Sequence, residues 1–225
     1  MQLTLVQLNK ISPAVVGVRG QLIVDAINKV FPIYGMLDAK ILQSVIPNML
    51  HESREFSTFE ENMNYSVEGL LKTFSRNRIS ENQAKAYGRI DGVRAANKQA
   101  IANTVYGGSW GSYHLGNTLP NDGWELHGSG VFQGTGRKVL TMFTAHNNRR
   151  TGVQKNVYAT AAMLRDKAQL ELNMHFVCWF VKEFKGILYL AAAGRFAEFC
   201  VMVNGGNNGK NAREKHYLRA KQVLV

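Results

Sequence analysis

Residues 107 to 136 hold nine of the chain's 21 glycines and carry no long apolar period. A stretch of this kind cannot supply a core element of its own. It forms tight turns with at most a small β-hairpin, or a loop that lines a site. The residues on either side read differently. Between 20 and 53 the pattern is helical, and "DAKILQSVIPNMLHES" sets Ile41, Leu42, Val45, Ile46, Met49 and Leu50 at helical spacing, with Asp38 placed to cap the helix. Pro47 stands inside that pattern, where it is expected to kink or interrupt it. "SVEGLLKTF" spaces Val67, Leu70, Leu71 and Phe74 on one helical face behind a Ser66 cap, and "SENQAKAYGR" has Ser80 and Gln83 at capping-box spacing. "NKQAIANTVYGG" reads as a helix stopped by Gly107 and Gly108. From about residue 155 the pattern is helical again, broken by "NGGNNGKN". With no repeat and no linker-like segment, the expected fold is one mainly α-helical domain over residues 1–225 with a glycine-rich centre.

Charge narrows the partners. The chain has 27 Lys+Arg against 16 Asp+Glu, a formal charge of +11 and a pI near 9.8, which favours nucleic acid, acidic lipid surfaces or an anionic wall polymer. No clustered basic and aromatic motif of an RNA-binding type accompanies that charge, so nucleic acid is not an expected partner. Cys178 and Cys200 lie in the apolar runs "FVCWFV" and "AEFCVMV", the usual setting of a buried free thiol. The start "MQLTLVQLNKISPAV" lacks a charged region followed by a continuous apolar one and does not read as a secretory signal. "MHFVCWFVKEF" is broken by Lys182 and Glu183 well short of the roughly 20 residues a membrane span requires. Synthesis in the cytoplasm is the expectation.

"HESREFSTFEEN" places Glu52, Glu55, Glu60 and Glu61 close together in this basic chain. Glu52 follows Val45 and Met49 on the same helical face, at the edge of the apolar stripe and at the negative end of the helix dipole. Both settings favour a protonated carboxyl, as a general acid requires. Glu55 and Glu60 lack that setting and read as surface charges. Glu61 follows across "SREFSTFE", and a turn after the helix would bring it back as a second carboxylate. Two carboxyl groups are what glycoside hydrolysis needs, one to protonate the leaving oxygen and one to activate water or attack the sugar. "HE" at 51 and 52 does not begin a zinc-protease helix, because position 55 is Glu55 and not histidine; the six histidines show no metal-ligand spacing. "GSGVFQGTGRK" lacks the spacing and the Lys-Ser/Thr of a phosphate-binding loop. No metal or cofactor is expected. The last residues, "KNAREKHYLRAKQVLV", form either a solvated basic helix face or a cationic helix that adsorbs to anionic lipid or lipopolysaccharide.

Taken in order, "MLHESREFSTFEENMNYSVEGLLKTF", "AIANTVYGGSWGSYHLGNTLPNDGWELHGSGVFQGTG" and "VNGGNNGKNAREKHYLRAKQVL" resemble the phage-endolysin branch of glycoside hydrolase family 19, the chitinase-like lysins. The resemblance runs over roughly residues 40 to 224. It implies a lysozyme-like, mostly helical fold with two lobes flanking a sugar-binding cleft, without a separate wall-binding module. It implies Glu52 as general acid and Glu61 as the base that activates water with inversion, helped by Thr135. Gln133, Asn204 and Arg213 match sugar-contact positions, and Tyr65 and Trp124 either line the cleft or pack in the core. The substrate implied is the peptidoglycan glycan strand, or chitin-like oligosaccharide, cut by a monomer that reaches the cell wall after release from the host cytoplasm.

The chain departs from the pattern on one side. The family usually shows arginine at Ser129, asparagine at Val139, tyrosine at Leu140 and a bulky apolar residue at Gly134, and His127 replaces a common arginine. A second reading is therefore a family member with a weakened site that binds cell wall or membrane through its charge.

Overall fold

The computed structural model describes residues 1–206 and 209–225. Among these residues the chain forms fourteen α-helices, and its β structure consists of isolated bridges at Glu60–Ser129, Ser129–Gly134, Ser66–Arg89 and Ile90–Arg94. The fold is mainly α, consistent with the lysozyme-like class. Backbone contacts divide it into two compact units: Met1–Phe59 with Gly130–Phe132 and Asp166–Val225, and Glu60–Ser129 with Gln133–Arg165.

The first unit contains α1 (Leu5–Ile11), α2 (Gly17–Val30), α3 (Ala39–Glu52), α11 (Leu170–Trp179), α12 (Leu188–Ala192), α13 (Phe196–Asn204) and α14 (Lys210–Val223). Helix α3 begins where Asp38 accepts a hydrogen bond from the Lys40 amide at 2.8 Å, as the sequence predicts. It packs against α12, α13 and α14. Its apolar stripe, Ile41, Leu42, Val45, Ile46, Met49 and Leu50, is buried throughout. Of the two expected effects of Pro47, interruption does not occur: the helix runs through it. A helix-interior proline costs about 3 kcal/mol, but each buried large apolar side chain on the same helix returns about 1.5–3 kcal/mol, so packing wins. Cys178 and Cys200 are free and buried, and burial pushes both thiols up, which leaves them inert. In "NGGNNGKN", α13 stops at Asn204 before a left-handed Gly205 and α14 starts at Lys210; Asn207 and Asn208 lie outside the described residues.

The second unit contains α4 (Val67–Thr73), α5 (Glu81–Tyr87), α6 (Lys98–Val105), α7 (Gly108–Leu115), α8 (Asp122–Glu125), α9 (Arg137–Thr151) and α10 (Val157–Arg165). Ser66 caps α4, and Ser80 with Gln83 forms the capping box of α5. Leu70, Phe74, Ile79, Ile101 and Val105 build the core of this part, with Tyr65, Tyr106 and Trp124 packed on its border. The glycine-rich segment is more regular than expected, because it contains α7 and α8. Only Gly111 of α7 is buried, so that helix has no apolar stripe for periodicity to reveal. A Cβ on Gly111 would stand 1.9 Å from the Tyr106 carbonyl oxygen, so the chain requires glycine there. Asp122, fully buried, ties the segment down. It accepts from the Thr118 and Leu119 amides at 2.9 and 3.0 Å, from Arg137 Nε at 2.8 Å and from the Tyr158 hydroxyl at 2.9 Å.

Candidate active site

Glu52 is the last residue of α3, with its side chain 18% exposed. It does not meet the helix end alone. Arg213, buried on α14, donates from its guanidinium to Glu52 Oε1. One of the basic residues of the C-terminal helix thus turns inward, while Lys210, Lys215, Arg219 and Lys221 stay exposed. His51 is half-buried; burial, then the nearby Arg213 charge, hold its imidazole below the usual value and keep it neutral near pH 7. Directly after the helix, Arg54, Glu55 and Phe56 have φ of 48°, 57° and 61°, three consecutive left-handed residues without a glycine. Each costs about 1–2 kcal/mol. The turn is held by Ser53 Oγ, which donates to the Met49 carbonyl at 2.6 Å and accepts from the Phe56 amide at 2.8 Å, and by burial of the Phe56 ring. Glu55 is not a free surface charge: Ser12 Oγ donates to it at 2.9 Å and His216 Nε2 lies 3.7 Å away. Asn204 is exposed at the end of α13.

In the second unit, Glu61 accepts two contacts from one phenol, with Tyr106 Oη 2.7 Å from Oε1 and 2.8 Å from Oε2. The Gly128 amide donates to Oε2 at 3.2 Å, and the Glu61 amide donates to the Gly128 carbonyl at 2.9 Å. The carboxylate is therefore locked to the glycine-rich segment. A Cβ on Gly128 would stand 2.7 Å from Gln133 Oε1 and 2.8 Å from Glu61 Cβ, so only glycine allows this approach. Burial, reinforced by the Glu61 charge, pushes the Tyr106 phenol well above the usual tyrosine range, so it stays a donor. Beside Glu61 lies a hollow lined by Glu60, Asn62, Met63, Lys98 and Trp124.

Of the residues expected to serve the site, the structure places Glu52 with Arg213 in one unit and Glu61, Trp124, Gln133 and Thr135 in the other. Trp124 lines the hollow and also borders the core, stacked on His127 with ring centroids 4.8 Å apart. Tyr65 takes the core role, edge-on to Phe74 at 5.3 Å. Thr135 Oγ1 donates to the Gln133 carbonyl at 2.9 Å, and Gln133 itself has a left-handed φ of 49°. Val139 and Leu140 are buried on α9, where apolar residues fit. Ser129 is buried, and a guanidinium reaches it from elsewhere. Arg165, ending α10, donates to the Glu125 carbonyl at 3.0 Å and to Ser129 Oγ at 3.4 Å, and stands 3.9 Å from Glu60. Glu60 also faces His127 Nε2 at 3.1 Å, so it is a bridge to the loop and not an isolated charge. Tyr106, Gly128 and Arg165 are not marked by any motif; Tyr106 and Gly128 lie in or beside the glycine-rich segment, and nothing local signals Arg165. Among the described residues no three His, Cys, Asp or Glu side chains gather into a group that could hold a metal ion.

No protein-family model matches the chain. It is similar to a glycosyl hydrolase family 19 domain-containing protein of Haemophilus influenzae, 29% identical over 205 residues that cover 84% of this chain and 90% of that protein. The likeness spans most of both chains and supports kinship with family 19, the family whose motifs the sequence resembles.

Proposed function

We propose that this protein is a glycoside hydrolase of family 19 that acts as an endolysin on the glycan strands of bacterial peptidoglycan. Glu52 is the general acid and Glu61 the base. Glu52 protonates the leaving glycosidic oxygen, and the Arg213 guanidinium balances the charge left on its carboxylate. Glu61 takes the proton of the attacking water, which reaches the anomeric carbon from the face opposite the leaving group and inverts its configuration.

The observation that carries this reading is the setting of Glu61. Three contacts from Tyr106 and Gly128 fix its carboxylate beside an open hollow, the arrangement a general base needs to present a lone pair in one direction. The likeness to a family 19 relative supports the same reaction class. Arg165 at Ser129 supports an intact site over a weakened one, because it brings a cation to the segment where the expected arginine is missing.

Mass spectrometry of fragments released from purified peptidoglycan tests the proposal. Muropeptides with a new reducing muramic acid or glucosamine end are the expected product, and the identity of that end names the bond. Sacculi left intact by folded protein would overturn it.

A further inference from the structure

The second unit has another concave surface, which shares no lining residue with the hollow beside Glu61. It measures about 420 Å³, within the usual range for small-ligand sites, and no Asp or Glu lines it. Arg76 and Arg78 enter it together with Gln83, Ser109 and Trp110. The Arg78 guanidinium lies 3.8 Å over the Trp110 ring, and its Nε is committed to the Val105 carbonyl at 2.9 Å. That bond and the ring fix the orientation of the cation. Aromatic side chains continue outward along α7: the His114 ring is 4.8 Å from Trp110 and 4.9 Å from Tyr113, which is 85% exposed.

An oriented arginine next to a carboxylate-free hollow recognises a carboxylate by charge and by paired hydrogen bonds. A row of exposed aromatic faces provides amphipathic contact for pyranose rings, whose C–H faces are apolar and whose edges are polar. We propose that this surface is a secondary binding site for an acidic glycan, with saccharide rings on Tyr113 and His114 and a sugar-borne or stem-peptide carboxylate held by Arg76 and Arg78. A single hollow with two arginines suits one carboxylate better than the continuous charge of nucleic acid. The ligand class rests on the proposed peptidoglycan activity. The site would hold the enzyme on its polymer between cuts, and binding there does not depend on cleavage.

The test is co-sedimentation of Glu52→Gln protein with purified sacculi and with uncharged chitin beads, while cleavage by the wild-type protein is measured separately. Tyr113→Ala changes an exposed side chain, whereas Arg76→Ser also removes donation to the Leu71 and Phe74 carbonyls at the end of α4, so circular dichroism must show it folded; each weakens sacculus binding about tenfold. Only Tyr113→Ala weakens binding to chitin. Lys215→Ser with Lys221→Ser, which removes the same kind of charge from α14, changes sacculus binding by less than about twofold. The proposal is overturned if Arg76→Ser and Tyr113→Ala bind sacculi like the parent, if the α14 substitutions weaken binding equally, or if duplex DNA competes as well as soluble muropeptide. Failure of wild-type cleavage with these binding results intact would reject the hydrolase and not the site.

Discussion

Tyr106 supplies both of the side-chain contacts to Glu61, and this determines what its loss does. Tyr106→Phe keeps the ring packed between Phe74 and Arg78 but leaves Glu61 with the Gly128 amide alone. Its kcat should fall about 10- to 100-fold with KM within about twofold if, as proposed, Glu61 is the base that this contact orients. An unchanged kcat would remove Tyr106 from the site. Because burial raises this phenol, tyrosinate titration should be the same in wild type and Tyr106→Phe up to about pH 10 and diverge above it. Arg165 acts one step further out, through Ser129 and Glu60, the neighbours of Gly128 and Glu61. Arg165→Ala should lower kcat about tenfold, with partial recovery in Arg165→Lys, which restores charge but not the fork; equal activity in wild type and Arg165→Ala would limit the side chain to packing. These partners were invisible in the sequence for a physical reason. Glu52 stands beside a readable helical stripe and Glu61 lies in the motif that resembles family 19, whereas Tyr106 and Gly128 meet Glu61 across 45 and 67 positions, and Arg165 meets Ser129 across 36. Only folding makes such contacts local.

Between elements, Asp122 carries the most connections, joining α8 to Arg137 of α9 and Tyr158 of α10. Burial alone would raise its carboxyl, but Arg137, the Leu119 amide and Tyr158 outweigh burial and bring it to about 2. An unfolded aspartate titrates near 3.9. The folded value is the lower one, so the stabilisation is complete above about pH 4 and disappears as pH falls through about 2, a loss of about 2 kcal/mol. Asp122→Asn leaves the partly exposed Arg137 half-paired against a buried amide and should cost about 3 kcal/mol in urea unfolding at pH 7. The gap between variant and wild type should then narrow at pH 2; a gap independent of pH would contradict the ion-pair account. Elements with capping residues and apolar stripes, α3, α4 and α5, were legible in the sequence because local chemistry dictates them. The left-handed turn at Arg54–Phe56 was not, since no glycine marks it. It is over-determined by Ser53 and the buried Phe56 ring, contacts that composition does not show.

Across the whole molecule, the mainly α class followed from period alone, while the division into two units did not, because the chain leaves and re-enters each unit. Gly130–Phe132 belongs to the first unit, held by the Gly130 amide on the Phe59 carbonyl at 2.7 Å and by Asn173, although its neighbours on both sides belong to the second. No local pattern marks such a crossing. Among the described residues no helix is long and apolar enough to cross a membrane, and Lys210, Lys215, Arg219 and Lys221 of α14 stay exposed. The proposed function stands on Glu52 as the acid and Glu61 as the base. Its most direct measurement is reducing-end release from purified peptidoglycan by wild type, Glu52→Gln and Glu61→Gln, each shown folded by circular dichroism. Steady release by wild type and a fall of about 10³-fold or more in both variants are expected; release by either variant at the wild-type rate would reject the acid and base assignment.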